Sequence, residues 1–217
     1  MPVKNDREYR NMVVEIKEAE GEDEDQKIVR GYATTFNDPY VLYEDDEKRI
    51  KEEVDRNAFA NADMSDVIMQ YDHMGRVFAR MSNNTLTVTP DERGLLIEAN
   101  LGGTELGRQL YEEIKGGYTN KMSFGFKVDG DERKDSVDSD GKFLRTRTIT
   151  SIRKLYDVSA VSIPANDATS ISVRSLTDGL IEEIQAERLE AEKREHAREA
   201  LELKIKIMEV EIKHECS

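Results

Sequence analysis

From Met122 to Val128 apolar side chains fall on every second position, which restricts this stretch to a strand with one buried face. Met122, Phe124, Phe126 and Val128 share that face; Ser123, Gly125 and Lys127 share the other. Ser123 therefore stands on the open side next to a glycine, which leaves room for another backbone to approach. A serine hydroxyl attacks poorly unless a base takes its proton. Of the histidines, His196 and His214 lie in a highly charged C-terminal tail, so His73 is the base available to Ser123. The alternative is a strand serine satisfied by a neighbouring carbonyl.

The rest of the chain supplies partners for that strand. Met12–Ile16 and Ile28–Ala33 read as strands joined by the acidic turn Glu20–Asp25, together an opening hairpin. Glu52–Ala62 has helical composition, with Val54, Ala58 and Phe59 near one face. Val67–His73 returns to strand, placing Val67, Met69, Tyr71 and His73 on one side. Val77–Met81, Thr85–Thr89 and Leu95–Leu101 follow as short strands separated by turn-forming residues. Thr104–Lys115 is a helix, with Thr104 as N-cap, Leu106, Leu110 and Ile114 in step, and Gly116-Gly117 at its end. Gly102-Gly103-Thr104 is its entry loop; no Lys-Ser/Thr pair follows at P-loop spacing. Asp129–Lys142 reads as a flexible acidic surface loop without EF-hand spacing, and Phe143–Ile152 and Leu155–Ile163 as strands. Many short strands with few helices predict a mainly β (α+β) core, barrel-like or closed.

After Gly179 the character changes: no glycine or proline follows, and Ala, Glu, Leu, Lys and Arg dominate. The expected organisation is a core of residues 1–175 and a charged helical tail of residues 176–217. Leu201, Ile205, Met208 and Ile212 fit a coiled-coil spacing, although Leu201, Leu203, Ile205 and Ile207 also alternate like a strand. Any self-association into a homo-oligomer would lie in this tail.

A net charge of −14 argues against a nucleic-acid backbone as partner. No apolar run approaches the ~20 residues of a membrane span, and the N-terminus lacks the apolar stretch of a secretory signal, so a soluble intracellular protein is expected. The one cysteine, Cys216, rules out an internal disulfide and fits a reducing compartment. His214-Glu215-Cys216 is too sparse for a metal site, and no cofactor is expected.

A serine–histidine pair needs a third group to hold the imidazole tautomer. Asp72 adjoins His73, but neighbours on a strand point to opposite faces. Asp157 is better placed, because Leu155–Val161 is otherwise apolar and a lone carboxylate there is costly without a partner.

An ordered set of segments resembles the tailed-phage prohead maturation proteases, serine proteases related in structure to the herpesvirus assemblins. Gly31-Tyr32-Ala33 with Phe36 is similar to the family's opening strand, Asn57-Ala58-Phe59 to its Gly-Ala-Phe segment, and Tyr71-Asp72-His73 to the strand ending in the catalytic histidine. Lys121–Phe126 resembles the Met-Ser-(Phe/Ile)-Gly-Phe nucleophile motif, and Asp157–Asn166 the Glu-Val-Ser-(Leu/Val)-Val-(Ser/Thr)-x-Pro-Ala-Asn signature. The likeness runs from about Ile28 to Arg174. It implies an assemblin-like fold, with Ser123 as nucleophile, His73 as general base and Asp157 where the family usually has glutamate. It further implies hydrolysis of scaffold, the major capsid protein's N-terminal segment and the protease itself, inside the prohead in the host cytoplasm. The rival expectation is a non-catalytic assembly protein that works through its helical tail.

Overall fold

The computed structural model describes residues 7–15, 17–18, 27–162 and 171–215. In chain order the first strands are β1 (Glu8–Glu15), β2 (Lys17–Glu18), β3 (Ile28–Thr35), β4 (Tyr40–Glu44) and β5 (Lys48–Val54). Next come β6 (Ile68–Tyr71), β7 (Met74–Arg80), β8 (Leu86–Pro90), β9 (Gly94–Asn100) and helix α1 (Glu105–Lys115). The long strands β10 (Lys121–Val137) and β11 (Phe143–Val161) and helix α2 (Ile171–Glu215) complete the series. The chain divides into two compact units, Met1–Arg174 and Ser175–Ser217.

The strands form two sheets. A four-stranded sheet runs β2-β3-β9-β8, and a seven-stranded sheet runs β1-β10-β11-β5-β4 with β6 and β7 attached beside β11. Apolar side chains from both sheets and from α1 meet in one core, among them Val29, Ile97, Leu110, Met122, Phe124, Ile152 and Val158. Each such burial stabilises the fold by roughly 1.5–3 kcal/mol. The mainly β reading holds, but no sheet closes into a barrel among the described residues. The reason is β11. It pairs antiparallel with β10 along one edge, while its other edge is shared by β5 near Phe143–Ile149 and β6 near Asp157–Ala160, both parallel. The sheet forks there instead of returning on itself.

Several local expectations change for physical reasons. β1 does not form a hairpin with β3; it crosses to the other sheet and pairs with β10, and the two-residue β2 takes the place beside β3 opposite β9. The intended turn Glu20–Asp25 lies outside the described residues, as does Ile163–Asp167. Glu52–Ala62 is not helical: Ile50, Glu52 and Val54 alternate inward on β5, and residues 56–61 form turns pinned by Asp55, whose carboxylate accepts from the Asn57 N–H. Asp129–Lys142 is no loose loop, because β10 and β11 stay paired out to Val137 opposite Phe143. Cross-strand ion pairs, Asp135 with Arg145 at 2.7 Å and Asp131 with Arg147 at 3.2 Å, hold this polar arm where apolar burial is lacking. Gly141, at φ +79°, closes its tip.

Helix α1 starts as its sequence indicates, with the Thr104 hydroxyl accepting from the Gly107 N–H at 3.0 Å. Its buried face is Gly107, Leu110, Tyr111 and Ile114, and Leu106 is exposed. The tail is helical from Ile171, so Gly179 lies inside α2 and does not mark its start. Leu189, Leu201 and Ile205 are exposed on it.

Candidate active site

Strand register gathers the predicted residues on one sheet face. Ser123 of β10 stands directly opposite Ser159 of β11, and Gly125 opposite Asp157. On the other side of β10, Tyr9 of β1 lies opposite Gly125. Partners across a sheet share a face, so Tyr9, Ser123, Asp157 and Ser159 all stand on the side away from Phe124 and Val158.

His73 reaches this face by a route that strand periodicity does not show. β6 ends at Tyr71, and Asp72 and His73 form the two-residue turn into β7, with Tyr71 paired to Met74. Both turn residues have positive φ, 46° and 57°, as a type I′ hairpin requires. Had the strand continued, His73 would have shared the buried face of Met69 and missed Ser123. The left-handed turn costs about 1–2 kcal/mol per non-glycine residue and swings the imidazole over the face that carries Ser123. Asp72 turns away, by the geometry of the turn and not by the strand alternation on which the sequence argument relied: its carboxylate accepts the Ser162 N–H and hydroxyl, each at 3.2 Å.

The resulting contacts form a chain. The Ser123 hydroxyl is hydrogen-bonded to His73 Nε2. His73 Nδ1–H donates to Asp157 Oδ1 at 2.5 Å. Ser123 and Asp157 are fully buried and His73 is half-buried. Burial, and then the nearby positive charge of Arg7, lower the His73 pKa to about 4, so the imidazole is neutral near pH 7 with Nε2 free to accept.

Four further side chains complete the arrangement, and the sequence reading gave none of them a role at the site. The Ser159 hydroxyl donates to Asp157 Oδ1 at 3.1 Å and lies 3.2 Å from His73 Nδ1. Its alternation with Asp157 at i+2 was the available signal. The Tyr9 ring meets the His73 ring edge-on, with centroids 4.4 Å apart. Arg7, on the same side of the segment as Tyr9, forms an ion pair with Asp157 Oδ2. Tyr156 packs its ring on the Arg7 guanidinium at 4.6 Å. Tyr156 is the extra residue of a bulge, since Gly125 faces Asp157 while Phe126 faces Leu155. A bulge has no signature in residue types alone.

Gly125 is what makes room for this packing. A Cβ there would lie 2.4 Å from Asp157 Oδ2 and 2.9 Å from both Arg7 Nε and Tyr9 Cε1. Gly125→Ala is therefore expected to displace Asp157 from His73 and to slow a reaction that runs through this chain of contacts about 100-fold, the usual effect of a reactive group misplaced by about 1 Å. Turnover set beside thermal melts checks this; a variant that turns over at the wild-type rate would show that the space is idle.

Among the described residues no group of three or more His, Cys, Asp or Glu side chains is arranged to hold a metal ion. No curated protein and no solved structure matches this chain. The family model for the caudovirus prohead serine proteases matches residues 13–181, a span that contains Ser123, His73 and Asp157. With well over half of its length matched, this chain belongs to that family and is a serine protease of phage prohead maturation.

Proposed function

We propose that Ser123 is the nucleophile, His73 the general base and Asp157 the carboxylate that orients it, in a prohead protease that works through an acyl-enzyme. The observation that carries this reading is the unbroken hydrogen-bonded order Ser123 hydroxyl, His73 imidazole, Asp157 carboxylate. Ser123 Oγ attacks the scissile carbonyl carbon while His73 Nε2 takes its proton, and the C–N bond then breaks as Nε2 returns that proton to the leaving amine. Water, activated by the same nitrogen, hydrolyses the ester and restores the serine. Asp157 favours the Nδ1–H tautomer and stabilises the imidazolium formed in passing. Because the serine is fully buried in this conformation, a peptide reaches it only when the site opens.

The substrates follow from the family's role: capsid-related proteins, specifically scaffold, the N-terminal segment of the major capsid protein, and the protease's own chain. The place of action is the prohead interior in the host cytoplasm. Residues 1–175 act as the protease core and residues 176–217 as a separate tail, a division supported by the compact units that meet at Arg174 and Ser175. Membership of a protease family speaks against the non-catalytic assembly protein.

The assignment is tested with a fluorophosphonate probe on the full chain. Oγ attacks phosphorus, the P–F bond breaks, fluoride leaves and His73 takes the proton. One phosphonyl group per chain is expected, mapped to Ser123 by peptide mass spectrometry and absent from Ser123→Ala and His73→Ala. Labelling that persists in Ser123→Ala removes the assignment.

A further inference from the structure

Asp157 has two oxygens, and the mechanism uses only one. Oδ1 serves His73 and Ser159. Oδ2 is buried and has no hydrogen-bond partner among the described residues; the cation set against it is Arg7. A fully buried carboxylate is stabilised by such a partner, in addition to the hydrogen bonds that its other oxygen accepts. The guanidinium is itself held in a built seat, its centre 5.1 Å from the Tyr9 ring and 4.6 Å from the Tyr156 ring, above the missing Cβ of Gly125.

We propose that Arg7 is a positioning residue of this active site: seated between Tyr9 and Tyr156, it pairs with the second oxygen of Asp157 and holds that carboxylate in place against His73. The proposal rests on the assignment of Ser123, His73 and Asp157 given above. The groups that face His73 are Asp157 and Ser159 of β11, Ser123 of β10, Tyr9 of β1, and Arg7 beyond Asp157. Asp157 attracts the imidazolium and Arg7 opposes it. Removing the guanidinium leaves the carboxylate's pull unopposed, so the His73 pKa rises. The base then loses its free Nε2 lone pair at a higher pH, and the acid limb of the reaction moves up with it. The N-terminal segment thus belongs to the catalytic apparatus, although it is remote in sequence from all three catalytic positions.

The experiment uses the full chain as wild type, Arg7→Gln, Arg7→Lys and Tyr156→Leu. The His73 ring is titrated by imidazole NMR, and the pH dependence of fluorophosphonate labelling is followed in parallel. Arg7→Gln is expected to raise the His73 midpoint by about one pH unit and to shift the acid limb of labelling equally. Arg7→Lys restores most of the difference because it returns the charge. Tyr156→Leu, which removes one wall of the seat, shifts the midpoint the same way by less. Arg7 lies just before β1 and is partly exposed, so the variants are expected to stay folded, which thermal melts check. Arg7→Gln should melt lower than Arg7→Lys, because it leaves the buried carboxylate without its cation. A His73 midpoint that ignores both Arg7→Gln and Tyr156→Leu overturns the proposal, as does a lysine variant that behaves like glutamine. If the labelled residue is not Ser123, the site assignment itself fails whatever Arg7 does. If Ser123 is labelled and His73 ignores Arg7, the assignment stands and only this inference falls.

Discussion

Asp157→Asn is expected to slow peptide hydrolysis by roughly 10⁴-fold near neutral pH, with the loss in kcat and the fold intact. The carboxylate uses both oxygens, accepting from His73 and Ser159 on Oδ1 and facing the Arg7 charge in an ion pair on Oδ2. An asparagine has one acceptor oxygen and one NH2. With the oxygen toward Arg7, the amide N–H groups face Nδ1, which must then be the unprotonated nitrogen. The ring proton moves to Nε2, and Nε2 no longer accepts from Ser123. With the oxygen toward His73, the amide donors point at a guanidinium in a buried space. Electrostatics therefore favours the unproductive tautomer. Initial rates on a capsid-derived peptide, with circular dichroism as the control for folding, measure the effect. A fall of less than about ten-fold would mean that Asp157 neither fixes the tautomer nor stabilises the imidazolium.

What the chain spelled out and what it concealed divide along a physical line. Asp157 was legible because a carboxylate on an otherwise apolar strand is costly unless paired, and Ser123 because its alternating run set it on one face beside a glycine, although that face is buried and not open. His73 was legible as a residue type and misread as a position. Periodicity placed it with Met69 and Tyr71, and only the positive φ of Asp72 and His73 carries it to the other face. Backbone handedness at a non-glycine pair leaves almost no trace in composition. The same holds for the bulge at Tyr156 and for the paired arm built from Asp131, Asp135, Arg145 and Arg147. Its residues look like a solvated loop one by one, and they become a strand only once opposite charges stand across from each other. The closed-sheet expectation failed for a related reason. The strand-rich character was readable, but β4 and β5 were not read as strands, two expected strands are one continuous β11, and nothing along the chain announces that its nineteen residues serve two different parallel neighbours.

The greatest misreading concerns the N-terminal strand, and it has a mechanistic consequence. Read as half of a hairpin, β1 would be a remote appendage of the smaller sheet. Paired with β10, it delivers Tyr9 to His73 and Arg7 to Asp157 on one face, and Arg10 to the other. Arg10 anchors what Arg7 and Tyr9 use. A site assembled in this way depends on how firmly β1 is held, and that firmness is set some distance away, around a buried glutamate.

Replacing that residue, Glu52→Ala, is expected to destabilise the fold by about 3–5 kcal/mol, a large share of the 5–15 kcal/mol that a domain typically has. Glu52 is fully buried on β5 and is held from several directions. Arg10 Nη2 donates to Oε2 at 2.9 Å and Arg147 Nη1 to the same oxygen at 2.8 Å, while the Tyr40 hydroxyl donates to Oε1 at 2.5 Å. Arg10 and Arg147 are themselves buried, so without Glu52 two guanidinium groups share a water-poor space in which, among the described residues, Glu8 and Asp131 are the acids left to compensate them. Leaving such charges unpaired costs more than the pairs contribute. The pH dependence has a fixed sign. Burial alone would raise the Glu52 pKa, but the charges and hydrogen bonds of Arg10, Arg147 and Tyr40 outweigh it and hold the carboxyl below its usual value. Its contribution is therefore complete above the unfolded glutamate pKa of about 4.3 and is lost as pH falls through the lower folded value. Urea unfolding of wild type and Glu52→Ala should show the full gap at pH 7 and a narrowing one below pH ~4. The surviving folded variant should also cleave peptide more slowly, because β1 is then free to carry Arg7 and Tyr9 away from the site. A gap under about 1 kcal/mol at neutral pH would mean that water or a rearranged arginine replaces the glutamate, and that β1 is anchored by its backbone pairing to β10 alone.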